Sequence, residues 1–158
     1  MPVMALQMES ADFANNSFMP EISSYRSQNL SPSLSWKDIP EGTVCLALTC
    51  DDPDAPSGNW VHWVAYDIPA AVTEFKRGTP KSKQLAGGIK QGVNDFGKVG
   101  YDGPAPPPGP PHRYIFTLYA LDGRVNIDAG VTEGELLDSI EGHVIQKAEI
   151  TGLYQTKR

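Results

Sequence analysis

The sequence predicts an all-β domain with long loops and one or two short helices, occupying residues 1–158 as a single unit. Fifteen glycines and fourteen prolines divide the chain into short apolar segments, and those segments are rich in Val, Ile, Thr and aromatic residues. A composition of 40% hydrophobic and 20% charged residues is ordinary for a globular chain, and 158 residues suffice for one sizeable core.

Taken in order, Leu6 to Met8 and Ser33 to Trp36 are short candidate strands. Thr43 to Cys50 (TVCLALTC), Val61 to Ile68 (VHWVAYDI) and Arg113 to Leu121 (RYIFTLYAL) are stronger, and each is nearly continuous in apolar character. That pattern predicts central strands covered on both faces. Gly88 to Val93 and Ala148 to Tyr154 are weaker candidates. Thr132 with Glu135 has the spacing of a capping box, and Leu136, Leu137, Ile140 and Val144 follow at helical spacing, with Gly142 marking the helix's weakening or end. His143 then falls on this helix without an obvious partner. Between Gly92 and Pro111 the chain is dense in glycine and proline (GVNDFGKVGYDGPAPPPGPP). A connection of that length is expected to be functional, and it delivers the chain to His112.

A net charge of −6 and a pI near 4.9 leave no basic footprint for nucleic acid or an anionic membrane. No apolar run approaches the ~20 residues of a membrane span, and Met1 to Glu9 lacks the pattern of a secretory signal. A cytoplasmic location is therefore expected. Cys45 and Cys50 lie on one strand, roughly 16 Å apart and on opposite faces, so they cannot bridge each other there.

The chemistry is concentrated in Asp52-Pro53-Asp54-Ala55-Pro56, Trp60-Val61-His62-Trp63 and His112-Arg113-Tyr114. The strand before this turn ends at Asp51 and the next carries His62, so both can lie at one end of a sheet, where the Asp52 carboxylate is expected to fix the His62 tautomer. Tyr114 shares a face with His112 by period-two alternation, and Arg113 faces the other way. Arg113 is expected to pair with Asp95 or Asp54 and hold the Gly/Pro loop. Imidazole and phenol donors around one point suit a small anion. Taken alone, the Asp-Pro-Asp turn is ordinary turn chemistry, and His62 alone is an ordinary core histidine. No Gly-rich phosphate loop, metal-spaced Cys pair or nucleophile elbow occurs.

These motifs, together with Asn29-Leu30-Ser31-Pro32-Ser33-Leu34-Ser35-Trp36, Asn94-Asp95-Phe96-Gly97 and Gly100-Tyr101-Asp102-Gly103-Pro104, resemble the phosphatidylethanolamine-binding proteins, also called Raf kinase inhibitor-like proteins. The similarity is closest to the prokaryotic YbhB/YbcL branch and spans residues 25 to 154. It implies a Greek-key β-sandwich with a small pocket for phosphate-like anions, lined by Asp52, His62, His112 and Tyr114. It also implies a backbone N–H near Gly103 to Ala105 completing the anion's shell, and a cis bond before Pro56. Vertebrate members continue into a C-terminal helix bordering the pocket. This sequence stops after Gly152-Leu153-Tyr154-Gln155 with a basic tail, Lys157-Arg158, so a more open pocket edge is expected.

The function expected is a binding protein, not an enzyme, that takes a phosphorylated or carboxylated ligand without a cofactor and acts on a protein partner such as a kinase or protease. Its exposed strands permit a homodimer. The alternative is a phosphoesterase or other hydrolase using His62 or His112 with Asp52. A metal centre built from Asp52, His62 and His112 is the third and least favoured reading.

Overall fold

The computed structural model describes residues 5–157, so Met1 to Met4 and Arg158 of the basic tail lie outside it. The strands are β1 (Gln7–Glu9), β2 (Ser17–Phe18), β3 (Leu34–Lys37), β4 (Cys45–Asp52), β5 (Trp60–Pro69), β6 (Glu74–Phe75), β7 (Lys90–Gln91), β8 (His112–Leu121) and β9 (Val144–Tyr154). One α-helix, α1 (Glu133–Ile140), precedes β9, and short 3-10 turns cover Glu21–Ser23 and Ala86–Gly88. The fold is therefore mostly β, and the three strong sequence candidates are its central strands.

Six strands form one sheet in the order β2-β9-β8-β4-β5-β7, and three form a second in the order β1-β3-β6. Pairing is antiparallel except between β2 and β9. Alternation along the central strands sends side chains to two apolar layers. Leu46, Leu48 and Cys50 of β4 join Phe116 and Leu118 of β8 against Trp36 and Phe75 of the smaller sheet. Cys45 and Ala47 face the other way, onto Leu136 and Ile140 of α1. Both cysteines are free and lie on opposite faces, as the strand geometry requires. Coverage on both faces explains why β4, β5 and β8 read as continuous apolar runs.

The capping box forms as read: Glu135 N–H donates to Thr132 Oγ1 at 3.2 Å, and Thr132 N–H donates to Glu135 Oε1 at 3.1 Å. The helix is shorter than its periodicity suggests. It stops at Ile140, Gly142 turns the chain at a φ of 83°, and Val144 pairs with Leu121 as the start of β9. His143 sits in that turn, not on the helix, and its Nδ1 lies 2.9 Å from Asp122 Oδ1. Gly88 to Val93 contributes only the two-residue β7, because Gly87 and Gly88 both take positive φ. No peptide bond among the described residues is cis, the bond before Pro56 included. The sharp turn after β4 is made instead by Asp52 Oδ1 accepting Asp54 N–H at 2.8 Å and by Gly58 N–H donating to the Ala55 carbonyl at 3.0 Å.

Candidate functional site

Because β4 runs antiparallel to both β5 and β8, the last residue of β4 and the first residues of β5 and β8 share one end of the large sheet. A cleft of about 280 Å³ opens there, lined by Asp52, His62, His112 and Tyr114 on the strands. Ala55, Pro56 and Ser57 from the turn, Trp60, Phe96, and Ala105 to Pro107 complete its wall. Sequence reasoning thus brings five residues to one cavity: Asp52, His62, Ala105, His112 and Tyr114. Pro56 lines the same wall.

His62 reaches the cleft through an irregularity in the pairing. Cys50 pairs with Trp63 and Asp51 with Val61, which leaves His62 as an extra residue opposite no partner. A bulge of this kind re-aims one side chain without ending the strand. Trp63 accordingly packs into the sandwich core, while the His62 ring meets Tyr114 edge-on at 5.1 Å and Phe96 at 5.6 Å between centroids.

The partnership expected between Asp52 and His62 is replaced by two others. His62 Nδ1 lies 2.6 Å from the backbone carbonyl oxygen of Asp102, while the Asp52 carboxylate takes His112, with Nδ1 at 2.7 Å from Oδ2. A carbonyl and a carboxylate only accept, so both rings hold their proton on Nδ1 and direct Nε2 elsewhere. Asp52, buried among these strands, gives one oxygen to His112 and the other to the turn at Asp54.

Arg113 faces away from the cleft, as alternation predicts, and grips Asp54 through Nε at 3.0 Å and Nη2 at 2.9 Å. Of the two carboxylates considered for it, Asp95 has a different task. Its Oδ2 accepts Val61 N–H at 2.7 Å while its own N–H donates to the Val61 carbonyl at 2.9 Å, locking the long loop to β5 beside His62.

Comparison with known proteins places this architecture. Residues 9–155 match the family model described as phosphatidylethanolamine-binding protein. The chain belongs to that family. A UPF0098 protein of Methanothermobacter thermautotrophicus is 46% identical over 128 residues, covering 81% of this chain and 84% of the relative. The UPF0098 protein YbhB of Escherichia coli is 41% identical over 133 residues, covering 82% and 84% respectively. The crystal structure of Escherichia coli YbcL superposes with a TM-score of 0.91 at 33% identity, covering 98% of this chain and all, 100%, of that one.

Two members of the cleft in this phosphatidylethanolamine-binding family protein carry polar atoms that are buried without a partner: the Tyr114 hydroxyl and Nε1 of Trp60. Burial first, and the nearby Asp52 charge second, push the Tyr114 phenol well above its ordinary range, so it is a neutral donor at any physiological pH. Burial also pushes the His62 imidazole down, against the opposing pull of its bond to Asp102 and of Asp52, Asp51 and Asp102 as charges.

Several residues that build the site were not singled out by sequence reasoning. The Asp102 carboxylate accepts from Asn29 Nδ2 at 2.7 Å, Asn94 Nδ2 at 2.8 Å and Lys81 Nζ at 3.3 Å, and its carbonyl fixes His62. Asn29 Oδ1 also accepts Gly103 N–H at 2.7 Å. Gly103 passes so close to Ser23 that a Cβ would stand 1.8 Å from its carbonyl oxygen, which sets the position of the Ala105 wall. Phe96 stacks on Tyr25 at 4.6 Å and meets Trp60 edge-on at 5.5 Å, forming an aromatic flank. Asn, Asp and Gly in loops read as turn formers, and only the motif resemblance pointed to these positions.

As a metal centre the arrangement is poor. The Asp52 carboxylate is engaged by His112 and by the turn at Asp54, and among the described residues no group of three or more His, Cys, Asp or Glu side chains is placed to hold an ion. No helix among the described residues is long and apolar enough to cross a membrane.

Proposed function

We propose that this chain is a non-enzymatic binding protein whose cleft takes a small phosphoryl or carboxylate anion, its occupancy tuning contact with a protein partner such as a kinase or protease. The observation that carries the reading is the pair of buried, unpartnered donors on the cleft, Tyr114 Oη and Trp60 Nε1. A buried polar atom without a partner costs about 1–3 kcal/mol, and an acceptor bound in the cleft would recover it. Nε2 of each histidine becomes a further donor once its ring is protonated. Around this polar floor the rim is apolar, with Pro56, Phe96, Pro106 and Pro107, which suits an organic substituent on the anion. The family's name points to a phosphoryl headgroup as the ligand class.

The test is a titration with inorganic phosphate and phosphoethanolamine, read by the fluorescence of Trp60 in the cleft. Saturable change in the wild type that is lost in His112→Ala supports the reading; no saturable change with either ligand sinks it.

One observation favours a second reading, hydrolysis of phosphoesters: Asp52 orients His112 as a carboxylate orients a general base. Ser57 shares the cleft, yet no hydrogen bond among the described residues joins its hydroxyl to His112, so an activated nucleophile is missing. Turnover of p-nitrophenyl phosphate that disappears in His112→Ala would establish this reading in place of the first.

A further inference from the structure

The hydrogen-bonding polarity of the cleft is unusual for an anion receptor, because no permanent cation among the described residues lines it. Arg113 is spent on Asp54, Lys81 on Asp102 and Lys98 on the Tyr25 hydroxyl. The groups that face His62 are Asp51 and Asp52 from β4, His112 and Tyr114 from β8, and Asp95 and Asp102 from the long loop. All of them are acidic or neutral while the imidazoles are unprotonated.

Both imidazoles have Nδ1 fixed on an acceptor, at 2.6 Å for His62 and 2.7 Å for His112. A neutral ring therefore turns a lone pair into the cleft, beside the two donors of Tyr114 and Trp60. Against such a surface a fully deprotonated oxyanion sets lone pair against lone pair at His62. An oxyanion that keeps one hydroxyl matches it, donating at Nε2 and accepting from Tyr114 and Trp60.

Resting on the phosphoryl-binding reading above, we propose that the cleft selects phosphomonoesters over phosphodiesters and sulfate esters, because one P–OH group donates to Nε2 of His62 and binding near neutral pH therefore takes up a proton from solution. A monoester has a second pKa of about 6, so at pH 8 it is mainly a dianion and must gain a proton to make this contact. Diesters and sulfate esters hold no proton in this range and make the contact only by protonating His62, which burial opposes. The proton moves from water to the unit formed by the phosphoryl oxygen and Nε2; no covalent bond breaks.

The experiment is calorimetric titration with phenyl phosphate, methyl phenyl phosphate and phenyl sulfate, three probes of similar size, in buffers of differing ionisation enthalpy between pH 5 and 8. Phenyl phosphate should take up close to one proton at pH 8 and almost none at pH 5. It should bind roughly tenfold or more tightly than the other two near pH 6, where about half of it already carries the proton, the effect of one unmade hydrogen bond to a buried group. In His62→Gln, where an amide supplies a permanent donor, both the uptake and the discrimination should vanish. Equal affinity for the three probes near pH 6, phenyl phosphate binding at pH 8 without proton uptake, or discrimination that survives His62→Gln would overturn the proposal and leave the binding function standing. Failure of all three to bind would remove the phosphoryl-binding reading itself, and this inference with it.

Discussion

Nδ1 of His112, at the start of β8, lies 2.7 Å from Oδ2 of Asp52, at the end of β4. The two residues are sixty positions apart in sequence, and the antiparallel pairing of their strands brings them together at the mouth of the cleft. The contact decides which nitrogen of His112 faces a ligand. In Asp52→Asn the one remaining oxygen cannot accept from both Asp54 and His112. If it stays with Asp54, the amide donates to the ring and moves the ring proton to Nε2. The expected result is a reversed His112 tautomer in long-range ¹⁵N–¹H spectra and a loss of about 1–3 kcal/mol in stability.

Asp102 ties three segments of chain to β5. Its carboxylate collects Asn29, Asn94 and Lys81, and its carbonyl accepts the hydrogen bond from His62 Nδ1–H. Asp102→Ala leaves buried amide donors without acceptors, so urea denaturation should show a loss of about 3 kcal/mol. Hydrogen exchange should rise through residues 94–105, the stretch this carboxylate anchors.

Tyr114 separates stability from binding. Its hydroxyl is buried without a partner in the free protein, so Tyr114→Phe should leave unfolding free energy within about 0.5 kcal/mol of wild type or raise it. Phosphoethanolamine affinity should fall roughly tenfold or more, as expected for removing a hydrogen bond to a charged group. A variant that unfolds early and binds normally would contradict the assignment.

Two buried groups give the free protein opposing pH dependences. His62 is pushed below its ordinary 6.5 by burial, so the unfolded chain binds its proton first; the contribution of His62 is full above pH 6.5 and is lost as pH falls below it. Glu133, at the start of α1, is pushed up to about 9 by burial and by Asp51 beside it. Its contribution is full below the ordinary carboxylate range and is lost as pH rises towards 9. Denaturation curves from pH 5 to 8 should therefore flatten at the acid end in His62→Gln, and Glu133→Gln should stabilise the protein at pH 8 by at least about 1 kcal/mol. Further down, the Arg113 guanidinium holds Asp54 at about 2, so that contribution is kept above the ordinary carboxylate range and lost as pH falls towards 2.

The central strands were legible because burial on both faces writes itself as unbroken apolar sequence, and the helix start because Thr132 and Glu135 satisfy a local hydrogen-bond rule. Asp52, His62, His112 and Tyr114 were legible as a group because strand ends carry them. Their pairing was not. Which histidine Asp52 holds depends on a bulge at His62 and on the path of a loop forty residues further along, and neither is a local property. The end of α1 was misread because Val144 has the same apolar character at helical spacing as it has at the start of an edge-exposed strand, and Gly142 alone did not decide between them. Asp102, Asn29 and Gly103 act through contacts across the chain, so composition could not single them out.

The most direct measurement is the ¹⁵N shift of Nε2 in His62 and His112 during titration with phosphoethanolamine near pH 6, in wild type and in His62→Ala. The account predicts saturable shifts at both rings in the wild type, with Nδ1 of each ring protonated throughout, and no saturable shift at His112 in the variant. Ring signals that stay still while phosphoethanolamine is raised to millimolar concentrations would contradict it, and would move the search for this protein's function from the cleft to its outer surface.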